Sequence, residues 1–135
     1  MMRLLFYSNP DDQNNKRLEA VLHQVIPESQ IELFQRLDDF GKRLRMPIEP
    51  DSIAVLSASN REELRQIQLL SGLLTEIYVI LVLPDMEKDT IRIAHHLLPR
   101  FLSQKDSDFA DFKKVLNKMY VNSLRSRFGR TTEEC

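Results

Sequence analysis

Two short runs decide what this chain can become: Ile53-Ala54-Val55-Leu56, and Ile77-Tyr78-Val79-Ile80-Leu81-Val82-Leu83. Neither alternates apolar with polar residues, so neither suits a strand with one wet face. Both suit a strand covered on its two faces, and the second, rich in β-branched residues, is closed by Pro84-Asp85. Strands covered on both sides occur mostly in parallel sheets, whose crossover connections lay helices on both faces.

The rest of the chain supplies those helices. Met2 to Tyr7 is an apolar run ended by the turn cluster Asn9-Pro10-Asp11-Asp12, and it predicts a first strand. Leu18, Val21, Leu22 and Val25 then follow helical spacing up to Pro27. Ile31 to Phe34 predicts a second strand, and Leu37, Phe40 and Leu44 a second helix ending at Met46-Pro47. After the Ile53 strand, either Ser59 or Asn60 can cap a third helix, since each has a glutamate three positions on, and Leu64, Ile67 and Leu70 form its apolar face. After the Ile77 strand, Asp89 is placed to cap a fourth helix with Ile91, Ala94, His95 and Leu98 on one face, ending at Pro99. Arg100 to Ser103 predicts a fifth strand, and Ser107 or Asp108 caps a last helix with Phe112, Val115, Leu116 and Met119 inside. The expectation is an α/β domain: a five-stranded parallel sheet between two layers of helices, spanning residues 1–122, with 123–135 as a partly disordered tail.

Composition narrows the function classes. A chain of 135 residues fits one domain. Its 19 basic and 20 acidic residues give a net charge of −1, which argues against general attraction to nucleic acid or to anionic membranes. No apolar run approaches the roughly 20 residues that a membrane span needs. The start, Met-Met-Arg-Leu-Leu-Phe-Tyr, breaks off at Ser8-Asn9-Pro10 with no small-residue cleavage site, so it reads as a strand rather than a signal peptide. The one cysteine, Cys135, forms neither an internal disulfide nor a cysteine zinc site. These features predict a soluble protein of a reducing cytoplasm.

In a parallel sheet of this kind ligands sit beyond the carboxyl ends of the strands, so the loops after strands 1, 3, 4 and 5 are where chemistry is expected. The chain has only three glycines, Gly41, Gly72 and Gly129, and none follows strand 1, so no glycine-rich phosphate loop exists. Asp11 and Asp12 have the chemistry to hold magnesium when a phosphate completes the ligand set, but acids at a helix start more often act as caps. His95 and His96 are adjacent, point about 100° apart on a helix, and cannot share a metal as an i, i+4 pair does. His95 and His23 read as core-edge histidines, and no metal or cofactor is expected. Lys113, Lys114, Lys118, Arg125, Arg127 and Arg130 make the C-terminal segment basic; with few aromatic residues among them, contact with a protein suits it better than nucleic-acid binding.

The five-unit order, the acidic pair after strand 1 and the stretch from Arg100 to Tyr120 resemble the receiver domains of two-component response regulators. The resemblance implies a flavodoxin-like strand order, 2-1-3-4-5, and places Lys105 where receivers keep the lysine that contacts phosphate. It also exposes departures. Strand 3 ends Val55-Leu56-Ser57-Ala58-Ser59, with no phosphoacceptor aspartate, and a serine hydroxyl does not form an acyl phosphate. The hydroxyl residue expected after strand 4 is replaced by Leu83-Pro84, the lysine-proline pair after strand 5 is Lys105-Asp106, and Leu102 stands where receivers place their switch aromatic.

The expectation is a degenerate receiver pocket formed by Asp11, Asp12, Ser57, Ser59 and Lys105, in a non-catalytic module of bacterial signalling that works through protein–protein contact, including contact with a second copy. By resemblance, the partner face falls on Arg92, His96 and Arg100. Two rivals remain open: a working phosphorelay receiver with its acceptor elsewhere, and a flavodoxin-like enzyme or small-ligand binder with an open pocket near Ser57, Ser59 and Lys105.

Overall fold

The computed structural model describes residues 2–10, 12 and 14–128. The chain alternates strand and helix: β1 (Leu4–Tyr7), α1 (Asn14–Val25), β2 (Ile31–Phe34), α2 (Leu37–Leu44), β3 (Ile53–Ser57), α3 (Arg61–Gln68), β4 (Tyr78–Leu83), α4 (Lys88–His95), β5 (Phe101–Gln104) and α5 (Ala110–Phe128). The strands form one parallel sheet in the order β2-β1-β3-β4-β5. This is a flavodoxin-like, doubly wound α/β fold, with the reversal of strand order between β1 and β3.

Alternation along each strand divides the core. Leu5 and Tyr7, Ala54 and Leu56, and Val79, Leu81 and Leu83 face α2, α3 and α4, where Phe40, Leu64, Ile67 and Ala94 meet them. Leu4 and Phe6, Ile53 and Val55, and Ile80 and Val82 face α1 and α5, where Leu18, Leu22, Phe112 and Leu116 complete the second core. The continuous apolar runs of β3 and β4 follow from this double coverage.

Helix ends settle one open choice and differ from expectation in two places. Asn60 rather than Ser59 caps α3, its Oδ1 accepting from the Glu63 backbone N–H at 2.8 Å. At α4 the N-cap position falls on Glu87 with no side-chain cap, Asp89 lies inside the first turn, and Asp85 instead closes the turn ahead of the helix, its carboxylate accepting from the Glu87 N–H at 2.9 Å. Hydrogen bonds from Thr90 and from the Glu87 N–H, with the charge of Arg61 nearby, hold Asp85 below the usual carboxylate range. The boundary expected at residue 122 is not where helix ends: α5 runs on to Phe128, and Ser123, buried, pairs through its Oγ with Asp51 Oδ2 at 2.5 Å. Residues 129–135 lie outside the described residues.

The buried stripe of α4 keeps Ile91 and Ala94 of the expected face but not His95 and Leu98. Thr90, Ala94 and Leu97 are buried, whereas His95 is exposed and Leu98 is 82% exposed. The helix stops at His95, and Leu98 enters the left-handed region at φ 49° before Pro99, so it no longer follows helical spacing. Because that conformation costs an L-residue about 1–2 kcal/mol, more than the extra chain entropy of glycine, Leu98→Gly is expected to raise stability by about 0.5–1 kcal/mol in urea unfolding. Phe109 is also left-handed, at φ 61°, but it is buried, packs edge-on to Phe112 at 6.0 Å between ring centroids, and lies beneath the Arg17 guanidinium at 5.4 Å. Packing here holds a strained residue in place.

Candidate functional site

The loops after β1, β3 and β5 converge at the carboxyl end of the sheet. Pro10 breaks the chain after β1, and a turn closed by the Asp12 N–H on the Asn9 carbonyl leads into α1. Asp12 is thereby held inward, its side chain only 8% exposed. Its Oδ2 receives the Lys105 ammonium at 3.3 Å and accepts from the Ser59 hydroxyl at 3.1 Å. The same ammonium reaches the Ser59 carbonyl at 3.5 Å, and the Lys105 side chain is 22% exposed. Asp12, Ser59 and Lys105, which are 93 residues apart at their extremes, thus form one contact group.

Ser57 stands apart from that group. It is buried, and its hydroxyl donates to Asn15 Oδ1 at 2.8 Å, while Asn15 Nδ2 donates to the Asn9 carbonyl at 2.9 Å. Asp11 lies outside the described residues.

A second polar centre lies behind the first and was not marked by sequence reasoning as functional. Glu63, 9% exposed, accepts from the Tyr7 hydroxyl at 3.1 Å and the Asn9 amide at 3.2 Å on Oε2, and from the Ser59 backbone N–H at 2.8 Å on Oε1. Burial, then the Glu63 charge and the hydrogen bond to it, push the Tyr7 phenol above its ordinary value. One carboxylate therefore joins the end of β1, the loop after it and the loop after β3. The signals that point to it are the capping spacing Asn60-x-x-Glu63 and a tyrosine ending an apolar strand, whose buried hydroxyl needs a partner.

Of the three residues expected on a partner face, all exposed, Arg92 and His96 stand four apart on α4 and its C-cap, and Arg100 immediately precedes β5. Arg92 is exposed and pairs with Asp89 within its own helix at 3.4 Å. His96, exposed, borders a cavity with Gly72, Leu74 and Leu98 on the α4 side of the sheet. Arg100 lies over the Tyr78 ring at 4.8 Å and borders a different cavity with Asp51, Met119 and Ser123 on the α5 side. His23 is exposed beside Glu19 at 3.6 Å, not at the core edge.

Among the described residues no cluster of three or more His, Cys, Asp or Glu is placed to hold a metal, and no helix is long and apolar enough to cross a membrane. The fold and these loops define a flavodoxin-like α/β domain with a lysine–aspartate–serine contact at the carboxyl end of its sheet. Comparison of the chain with protein-family models, with curated proteins and with solved structures finds no match.

Proposed function

We propose that this chain is a non-catalytic, phosphate-independent interaction module of bacterial cytoplasmic signalling, built on a receiver-like scaffold. The observation that carries the reading is the Lys105–Asp12–Ser59 contact. A lysine serves a phosphoryl group when its ammonium meets the incoming oxygens; here a carboxylate already neutralises it. Unless a magnesium ion bridges the two, an arriving phosphoryl group would have to displace Asp12 from Lys105 and then endure the Asp12 charge beside it, which costs free energy in a partly buried site. The residue at the end of β3 adds nothing to offset this, because Ser57 is buried, bonded to Asn15, and carries a hydroxyl instead of an acceptor carboxylate. With the pocket filled by its own side chains, the module acts through its surface, on a partner protein or a second copy.

The test is an amide NMR titration of the whole chain with magnesium and beryllofluoride, an acyl-phosphate mimic. Spectra unchanged at Asp12, Ser57, Ser59 and Lys105 are expected. Clustered shifts at those residues would reinstate a phosphate-responsive receiver.

A further inference from the structure

We propose that the cavity at the amino ends of β3, β4 and β5 binds a small free α-amino acid as its zwitterion, with the carboxylate on Arg100 and the ammonium on Asp51. The inference goes beyond the interaction-module reading, because this cavity lies at the opposite pole of the sheet from Lys105. Its place follows from the backbone. Asp51 precedes β3, Tyr78 opens β4 with its N–H on the Ser52 carbonyl at 3.1 Å, and Arg100 precedes β5 with its N–H on the Val79 carbonyl at 2.6 Å. Met119, Asn122 and Ser123 of α5 close the other side. The cavity measures about 100 Å³, room for roughly seven water-sized groups, which fits a short amino acid and excludes a nucleotide.

The charges select the ligand. The Arg100 guanidinium lies over the Tyr78 ring at 4.8 Å and, among the described residues, meets no carboxylate. Asp51 holds Ser123 through Oδ2, and its Oδ1 has no hydrogen-bond partner among the described residues. A cation and an anion thus line one small cavity without pairing with each other. A ligand that carries only a carboxylate meets attraction at Arg100 and repulsion at Asp51, and one that carries only an ammonium meets the reverse. A zwitterion answers both ends at once: a guanidinium takes a carboxylate through two parallel hydrogen bonds, and an ammonium donates to the open Asp51 oxygen. Met119 supplies an apolar, adaptable wall for a short side chain.

The experiment titrates the isotope-labelled full chain, at constant ionic strength, with L-alanine, with N-acetyl-L-alanine, which keeps only the carboxylate charge, and with L-alaninamide, which keeps only the ammonium. Alanine is expected to give saturable shifts of the Asp51, Tyr78, Arg100, Asn122 and Ser123 amides in about the millimolar range, and the two singly charged analogues to bind at least roughly tenfold more weakly. Arg100→Gln removes an exposed cation without touching the core and is expected to weaken alanine binding by roughly tenfold; Asp51→Asn, which keeps an acceptor for Ser123, is expected to do the same. No saturable shift with alanine, equal binding of all three compounds, shifts centred elsewhere, or unchanged affinity in Arg100→Gln would each overturn the proposal. The beryllofluoride titration reads the amides of the other pole, so either result there leaves this test intact.

Discussion

Val55→Asp is expected to lower stability by roughly 4 kcal/mol or more, enough to leave a domain of this size largely unfolded at room temperature. Val55 is fully buried at the centre of β3, in register with Phe6 on β1 and Ile80 on β4, and packs in the core beneath α1 and α5. A carboxylate there has no cation to meet; it either stays charged in an apolar core or takes up a proton, and both are costly. Val79→Asp makes the same test of the opposite core, under α2, α3 and α4. Urea unfolding midpoints near the wild-type value for both variants would contradict the two-sided coverage of the sheet.

Glu63→Ala is the second large effect, at about 3 kcal/mol. The carboxylate accepts three hydrogen bonds from groups of three segments, and its removal leaves the Tyr7 hydroxyl and the Ser59 N–H short of a partner, at about 1–3 kcal/mol for each that water cannot reach. Glu63→Gln keeps a carbonyl acceptor and is expected to cost less. Urea unfolding separates the two variants, and a loss below about 1 kcal/mol for Glu63→Ala would mean that solvent replaces the carboxylate freely.

How much of this was legible in the chain depended on the kind of signal. Burial periodicity is repeated over many residues, so the strands and the faces of α1, α2, α3 and α5 could be read from it, and continuous runs such as Ile53–Leu56 identified the parallel sheet. The order of the strands came only through the receiver resemblance, because alternation fixes that helices cross over, not which strand neighbours which. At α4 the spacing holds for Ile91 and Ala94 and misleads for the other two, because His95, still helical, faces solvent and the backbone leaves the helix before Leu98. Pro99 takes Leu98 out of the helical region, but nothing local says that the leucine will be left-handed rather than extended.

The polar site was legible only in part for a similar reason. Asp12, Ser59 and Lys105 could be nominated by position after their strands, and the structure brings these three together. The partners of Ser57 and the Glu63 network could not, because an asparagine or glutamate in a loop has no period, and its partner is chosen by loops distant in the chain. Asn15 illustrates this: its place in the first turn of α1 suggests no role, yet it holds the hydroxyl of Ser57, 42 residues away.

The length of α5 has a mechanical consequence. Its first turn adjoins the loop that carries Lys105, and Ser123 grips Asp51, just ahead of β3 at the opposite pole of the sheet. The intervening helix spans about 20 Å at 1.5 Å per residue and behaves as a stiff rod. One uninterrupted element therefore ties the strained turn at Phe109 to Asp51 on the far side of the domain.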